Sequence, residues 1–308
     1  MMRIKFLNNI LCVLIFLLGS FLLGAEANFS GSTDSASEAV GGSLTINFDS
    51  GAYGTLTYTV GVGTATNFGS GTFDFNLNSN TIPLISGETT TSIDLNVTND
   101  NRYEANETVI VTLSESSGNI TIGSTDNITF TITNDDAPPT VKFETSTTSE
   151  IEGDAKTIRV EVDASGTDVG LTSTIDWTIT NGTTSNSDHI SDLSGTLSFS
   201  EGNILKSISY DASDDAMDEN DETFTIALSN NVNFGLGSIT THTHTILDND
   251  EAPNVGFTEA TTTKGESDGT ITVTLDLDAA SGKTTTATVG IGVISTATAT
   301  EDYSSLSA

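Results

Sequence analysis

The sequence predicts an all-β protein made of tandem antiparallel β-sandwiches, and three observations support this. Apolar and polar residues alternate, as in "TIDWTIT" (174–180), where Ile175, Trp177 and Ile179 share one face. The chain repeats itself at a spacing of 114 residues. No segment beyond the first 27 residues shows a capped pattern of period 3.6. One face of each strand is therefore expected to pack while the other contacts water.

The first residues have the pattern of an export signal. Arg3 and Lys5 precede an apolar run at 10–23, and the sequence Ala25-Glu26-Ala27 follows it. This order predicts a secretory signal peptide over residues 1–27, cleaved after Ala27, and a secreted or cell-surface protein. An uncleaved anchor is the alternative, but the apolar run is short for a bilayer span.

Composition excludes several classes of function. The chain has 9 basic and 42 acidic residues, a formal net charge of -33, so nucleic acid and anionic membrane surfaces should be repelled. Its single cysteine, Cys12, lies within the predicted signal peptide. An exported protein without disulfides must be stabilised by packing or by bound metal.

The internal repeat defines the predicted domains. Glu38, Glu152 and Glu266 lie 114 residues apart, and each opens a glycine-containing turn before an alternating strand. We expect a first domain at 28–136, a second at 140–250 and a partial third at 254–308. Each complete domain has about 110 residues of short strands, which is typical of an immunoglobulin-like sandwich.

The third repeat stops before its later strands, so exposed edges and poor order are expected there. The chain is accordingly expected to be part of a longer protein, with neighbouring domains beyond it. The linkers "APPT" (137–140) and "EAPN" (251–254) are short and contain proline, so they should limit motion between successive domains.

The segment "DDAMDENDETF" (214–224) is unusually acidic. Its six carboxylates belong to Asp214, Asp215, Asp218, Glu219, Asp221 and Glu222, and no basic residue lies within it. Two carboxylates 4 Å apart repel by about 4 kcal/mol at an effective dielectric constant near 20. A hard dication with oxygen ligands would neutralise such a group, and calcium fits better than zinc, which prefers Cys and His. The related segment "NDNRYEANET" (99–108) suggests the same chemistry in the first repeat.

The acidic segments and the motifs given below resemble those of the Calx-beta domain. This domain family occurs in sodium/calcium exchangers, in integrin β4 and in many bacterial surface proteins. The first repeat carries "GTAT" (63–66), "SGE" (86–88), "ETVIVTLS" (107–114) and "NDD" (134–136). The second carries "EGD" (152–154), "SDH" (187–189), "DETFTIALS" (221–229) and "DND" (248–250), and the third shows only "TATATEDY" (296–303). The resemblance implies immunoglobulin-like sandwiches that bind calcium.

It also implies a set of calcium ligands. In the first repeat these are Glu38, Asp100, Glu104, Asp135 and Asp136, and in the second they are Glu152, Asp188, Asp214, Asp215, Glu219, Asp248 and Asp250. The first repeat has Asn67-Phe68 where the second has Asp188-His189, so the second is expected to bind calcium more tightly. The third offers only Glu266 and Asp302 and should form no complete site.

Other acids are expected to be structural or to support the ligands: Glu107, Asp154, Asp218, Asp221 and Glu222. His242 and His244 form an i, i+2 pair that could bind zinc. In the register of the repeat they replace Ile128 and Phe130, however, so packing as neutral side chains is favoured.

Three functional classes follow. The favoured one is a calcium-stiffened structural or adhesive module, with cell-surface proteins or glycans as partners. The alternative is a metal-independent immunoglobulin-like module that binds protein or glycan through its loops. An enzyme, for example a glycosidase using two carboxylates, is disfavoured because one active site does not require duplicated acidic clusters.

Overall fold

The computed structural model describes residues 24–61, 63–66, 74–77, 79–163, 168–293 and 295–303. Within them the chain is all-β, with two short 3-10 helices at Asn186–Asp188 and Glu266–Asp268 and no α-helix, which confirms the predicted fold class. The apolar run of the predicted signal peptide and the Asn67-Phe68 pair lie outside these residues. No described helix is long and apolar enough to cross a membrane.

The strands follow the order of the repeats. The first repeat forms β1 Ala25–Phe29, β2 Thr33–Ser37, β3 Gly42–Gly61, β4 Phe75–Asn76, β5 Thr81–Val97, β6 Arg102–Tyr103, β7 Glu107–Ser116, β8 Ile120–Ile122 and β9 Asn127–Thr133. The second forms β10 Thr140–Phe143, β11 Thr147–Ile151, β12 Ala155–Asp163, β13 Asp168–Val169, β14 Ser173–Asn181, β15 Ser194–Phe199, β16 Leu205–Asp211, β17 Glu222–Val232, β18 Gly235–Leu236 and β19 Thr241–Leu247. The third contributes β20 Val255–Phe257 and β21 Leu275–Leu277.

These strands belong to two compact units. One contains the first repeat with residues 163–173 and 199–204, and the other contains residues 140–162, 174–198 and the chain from 205 onward. The domain boundaries expected from the repeat stay predictions.

In the first unit, β3 joins both layers of the sandwich. Its first part pairs with β5, from Gly42↔Leu95 to Asn47↔Thr90, and its last part pairs with β7, from Leu56↔Ser116 to Gly61↔Ile110. The bend between them includes Gly54, whose φ of +128° and close approach to the Ser117 carbonyl leave no room for a side chain. One bent strand therefore connects the strands of both layers into a single sheet of eight described strands.

In the second unit the two layers are separate sheets. One has the order β16-β12-β10-β18 and the other β11-β19-β17-β14-β15. Tyr210 of the first sheet meets His244 of the second with ring centroids 5.4 Å apart, and Phe143 meets His242 at the same separation. These contacts place an aromatic core between the two layers.

The N-terminal strand bears on the predicted cleavage after Ala27. Ala25 and Ala27 are fully buried, and residues 25–27 make all the backbone pairs between β1 and β8. Cleavage after Ala27 would delete these pairs and shorten β1 to Asn28 and Phe29. The position of cleavage stays a prediction.

The third repeat has little core among its described residues. Its strands β20 and β21 pair antiparallel from Val255↔Leu277 to Phe257↔Leu275. Phe257 is 56% exposed and Val273 is 53% exposed, so apolar side chains of this region face solvent.

Candidate metal centre

Parallel strand pairs bring the acidic residues of each repeat together. In the first repeat β2 pairs with β9 up to Ser37↔Thr133, so Glu38 and the segment Asn134-Asp135-Asp136 leave the sheet side by side. In the second, β11 pairs with β19 up to Ile151↔Leu247, so Glu152 emerges beside Asp248. The same topology therefore juxtaposes acids 96 or more residues apart in both repeats.

Three predicted ligands converge at each of these points. Glu38, Asp135 and Asp136 place carboxylate oxygens within 4.8 Å of one another, and so do Glu152, Asp248 and Asp250. Backbone amides hold the groups in place, because Ala39 N donates to Asp135 Oδ2 at 3.2 Å and Asn249 N donates to Glu152 Oε1 at 3.3 Å.

A further acidic group in the first repeat joins the predicted ligand Glu104 to two residues that were not predicted as ligands, Asp74 and Glu107. Asp74, Glu104 and Glu107 also offer oxygens within 4.8 Å of one another. Asp74 thus offers the first repeat a carboxylate in addition to those predicted, although Asn67-Phe68 aligns with Asp188-His189 by motif. Asp74 lies 114 residues before Asp188, so the repeat spacing itself was the signal that could have identified it.

In the second repeat most of the predicted ligands line one cavity of about 140 Å³. Its lining is Glu152, Ser187, Asp188, Ser213, Asp215, Glu219, Asn220, Glu222, Ile246 and Asp248. Glu222, expected to be structural, is thus part of the lining and hydrogen-bonds to Asp188. Asp214, a predicted ligand, is not among these residues and lies against Gly153 instead.

Asp100 and Asp215 sit at equivalent turns. Asp100 Oδ1 accepts a hydrogen bond from Arg102 N at 2.9 Å, and Asp215 Oδ1 accepts one from Met217 N at 2.8 Å. Each therefore has one carboxylate oxygen engaged by the backbone of its own turn.

The electrostatics show carboxyl groups under mutual repulsion. Burial raises the pKa of Glu38 to about 7, and the charges of Asp100 and Glu104 add to this rise. Burial also raises the pKa of Glu107 to about 8, helped by a hydrogen bond with Asp74. Such values mean that, without a cation, these groups take up protons near neutral pH.

In the second repeat, Glu222 and Asp188 form a hydrogen-bonded carboxyl pair like that of Glu107 and Asp74. Burial raises the pKa of Glu222 to about 7, and its hydrogen bond to Asp188 contributes next. Burial raises the pKa of Asp188 as well, but hydrogen bonds from Ser185 and Glu222 outweigh it and lower the pKa overall. As the pH falls, Glu222 is therefore the member of the pair that takes up a proton first.

Several buried carboxylate oxygens have no hydrogen-bond donor among the described residues. They are Glu38 Oε2, Glu107 Oε2, Asp136 Oδ2 and Asp250 Oδ2. A buried polar atom without a partner destabilises a fold by about 1–3 kcal/mol. All four oxygens lie in the acidic groups just described, so a cation bound there would satisfy them.

Basic side chains provide only part of the compensating charge. Arg102 Nε lies 3.2 Å from Glu104 Oε2, and the same guanidinium pairs with Glu201. Lys283 Nζ lies 2.5 Å from Asp218 Oδ1 and 3.5 Å from Asp248 Oδ2. Lys283 thus partly neutralises the acidic residues of the second repeat. It lies 61 residues after Glu222, the last acid of the segment 214–224, so the composition of that segment could not reveal it.

The donor set fits calcium. The candidate ligand atoms are carboxylate oxygens in groups of three to six, with serine and asparagine side chains nearby in the second repeat. Calcium takes six to eight oxygen ligands in flexible geometry, whereas structural zinc prefers cysteine and histidine.

Comparisons with known proteins relate the chain to one family of domains. A family model for the Calx-beta domain matches residues 43–136, 134–250 and 248–308. A curated relative, adhesion G-protein coupled receptor V1 from Danio rerio, is 30% identical over 159 residues, which is 51% of this chain and 2% of the receptor. The chain therefore spans a very small part of that relative.

Solved structures similar to the chain include CBD12 from CALX1.2, with 17% identity, a TM-score of 0.35 and coverage of 72% of this chain and 99% of that one. The apo-form Calx CBD1 domain has 25% identity, a TM-score of 0.33 and coverage of 36% and 98%. The three matches to the family model extend over most of the sequence. The chain belongs to the Calx-beta domain family.

Proposed function

We propose that this chain is a calcium-binding structural or adhesive module of a secreted or cell-surface protein, in which calcium at the ends of the repeats stiffens the array. The observation that carries the proposal is the set of buried carboxylate oxygens without a donor. Asp136 Oδ2 in the first repeat and Asp250 Oδ2 in the second occupy equivalent positions after β9 and β19. A cation at both positions would explain why the arrangement recurs.

The same acids make the metal-free protein unfavourable. Glu38, Glu107 and Glu222 all have raised pKa values, so ionising them at neutral pH destabilises the folded state. Calcium would stabilise the ionised carboxylates, because its positive charge attracts each of them and offsets their mutual repulsion. Because Asp136 and Asp250 directly precede the short linkers, an ion held there would also restrict the linkers.

An extracellular role is supported by the predicted signal peptide and by the adhesion receptor among the relatives. Extracellular calcium modules bind with dissociation constants on the order of 10⁻⁴ to 10⁻³ M. Cell-surface proteins or glycans would then bind to tandem repeats whose relative motion is restricted by calcium.

The test is thermal unfolding of the whole chain by calorimetry, in EDTA and in about 10 mM CaCl₂. With a dissociation constant of about 10⁻⁴ M, binding should stabilise a repeat by about 2.7 kcal/mol. Asp136→Asn and Asp250→Asn should each reduce the shift of one repeat. Asp34→Asn, which removes an exposed charge from the first repeat, is the matched control.

Equal midpoints in EDTA and calcium would refute the proposal and favour the metal-independent binding module. A shift that persists in both ligand variants would mean that calcium binds elsewhere. Duplication of the acidic groups gives no support to a single active site, and no enzymatic role is proposed.

A further inference from the structure

The core of the second repeat contains two histidines where the first has apolar residues. On β9, Ile128 and Phe130 are buried, and on β19 the corresponding residues are His242 and His244, both with 0% exposure. Neither imidazole belongs to the acidic groups described above. Such complete burial of two ionisable side chains requires a specific arrangement of protons.

One hydroxyl connects the two rings. Thr148 Oγ1, on β11, lies 2.7 Å from His242 Nε2 and 2.8 Å from His244 Nδ1. The other nitrogen of the first ring, His242 Nδ1, lies 2.8 Å from the Thr145 carbonyl oxygen. The remaining atom, His244 Nε2, is buried and has no hydrogen-bond partner among the described residues.

These partners determine the protonation of both neutral rings. A carbonyl oxygen can only accept, so His242 Nδ1 carries the proton and His242 Nε2 is the acceptor. The Thr148 hydroxyl has one hydrogen and donates it to His242 Nε2. His244 Nδ1 must then donate to Thr148 Oγ1, which leaves His244 Nε2 as a bare lone pair.

The network has no place for another proton. If His244 Nε2 is protonated, a charged N–H group is buried without an acceptor. If His242 Nε2 is protonated, it must donate to Thr148, whose hydrogen then turns to His244 Nδ1 and moves that ring's proton to the unpartnered Nε2. Either product places positive charge and an unsatisfied donor in the core.

The surroundings do not stabilise that charge. β10 and β17 contribute Phe143 and Phe224, whose ring centroids lie 5.4 Å from His242 and 5.1 Å from His244. The charged groups nearest the pair, Glu150 on β11 and Lys156 on β12, are bound to each other at 2.9 Å. Their effects on His244 oppose each other.

The other titratable groups facing the pair are already engaged. Tyr210 on β16 packs against His244, and its hydroxyl is 2.9 Å from His189 Nδ1. His189 Nε2 in turn lies 2.8 Å from Asn181 Oδ1. None of these groups accepts a hydrogen bond from His244 Nε2.

We propose that the second repeat contains an acid-sensitive switch, in which protonation of His242 or His244 opens its core while the first repeat stays folded. The first repeat has Ile128 and Phe130 at these positions and lacks the device. The histidines contact none of the candidate ligands named above, so the switch itself requires no bound calcium.

The direction and size of the change in stability with pH follow from the difference in histidine pKa between the folded and unfolded states. Burial lowers the pKa of His244 to about 4 and lowers that of His242 as well. The unfolded chain binds protons first, so stability is full above the ordinary histidine pKa of 6.5 and is lost as the pH falls towards 4. Between pH 7.5 and 5.0, His244 alone should raise the unfolding equilibrium constant about 30-fold.

The only tryptophan of the chain, Trp177, lies on β14 and reports on the second repeat. Urea unfolding of the whole protein is followed by its emission at pH 7.5 and 5.0 in calcium-free buffer. The double variant His242→Ile/His244→Phe, which copies the first repeat, is measured beside the parent. Carboxylates titrate in both proteins, so the difference between their pH responses isolates the histidines.

The parent should show an unfolding constant that rises at least 30-fold more than that of the double variant over this pH range. Equal pH responses would overturn the proposal. If the variant does not fold, NMR titration of the parent's imidazoles decides: both rings should stay neutral, in the Nδ1–H form, until the second repeat unfolds. Ordinary titration near pH 6.5 in the folded protein would also overturn it.

Hydrogen exchange followed by mass spectrometry locates the opening. After correction for intrinsic rates, peptides from β17 and β19 should lose more protection between pH 7.5 and 5.0 in the parent than in the double variant, while peptides from β7 and β9 should respond alike in both proteins. An equal response of β17 and β19 in the two proteins would contradict a switch confined to the second repeat.

Discussion

Replacing Glu222 with Gln should stabilise the metal-free protein and reduce the extra stabilisation that calcium gives. Glu222 lines the acidic cavity, hydrogen-bonds to Asp188 and has its pKa raised to about 7 by burial and by this bond. A glutamine amide can donate to Asp188 as the protonated carboxyl does, but it carries no charge. The variant should therefore remove repulsion from the metal-free protein and remove a charged ligand from the calcium-bound one.

The magnitude follows from the raised pKa. At pH 7.5, a carboxyl group whose pKa rises from 4.5 to about 7 destabilises the folded state by about 3 kcal/mol. Glu222 is only half-buried, so solvent screening reduces the expected gain for the variant to about 1–2 kcal/mol in EDTA. In calcium, loss of one ligand charge should weaken binding about tenfold, or about 1.4 kcal/mol.

Trp177 emission during urea unfolding at pH 7.5 measures both effects, in EDTA and in about 10 mM CaCl₂. Glu251→Gln is the matched control, because Glu251 is exposed close to the same acidic group and its removal changes the net charge equally. The control should change stability by less than about 0.5 kcal/mol in either buffer. A Glu222→Gln variant that is less stable than the parent in EDTA would refute the account of repulsion, and unchanged calcium stabilisation would refute its role as a ligand.

Three further predictions concern the same groups. Asp74→Asn should weaken calcium binding by the first repeat about tenfold, as Asp188→Asn should for the second, measured by calorimetric titration of the whole chain; an unchanged first-repeat affinity would remove Asp74 from the site. Lys283→Met should raise the affinity of the second repeat about three- to fivefold, because the ammonium competes for Asp248, and a lower affinity would contradict this. The metal-free first repeat should become more stable as the pH falls from 8 to 5, because the raised pKa values of Glu38 and Glu107 make the folded state bind protons before the unfolded state does. Hydrogen exchange of the amides of β7 and β9 measures this stability. A decrease in their protection over this pH range would refute the prediction.

Local patterns were sufficient to predict the sheets and one acidic group in each repeat. Period-two alternation identified the packed faces of β14 and β19, and burial of Ile175 and His244 agrees with it. The early glutamate and the closing aspartates could be predicted because they follow strands that recur at a constant spacing. Their convergence depends on parallel pairing of β2 with β9 and of β11 with β19.

Other parts of the site depend on contacts that local patterns do not contain. The "GTAT" motif (63–66) points to Asn67 because it directly precedes that residue, whereas the spacing of 114 residues from Asp188 indicates Asp74. Glu107 and Glu222 begin strands, which favours a structural interpretation until the strand's neighbours are known. Lys283 meets Asp218 through a contact between residues 65 positions apart. No periodicity predicts such a pairing.

The two ionisable features of the second repeat oppose each other without calcium and act together with it. In the metal-free protein, acidification protonates Glu222 and relieves repulsion, while protonation of His242 or His244 destabilises the core. Bound calcium would keep the carboxylates ionised, so acidification then competes with the metal and charges the histidines in the same pH range. Calcium should therefore steepen the loss of stability of the second repeat between pH 7 and 5. The first repeat, with Ile128 and Phe130 in its core, should respond only through its carboxylates.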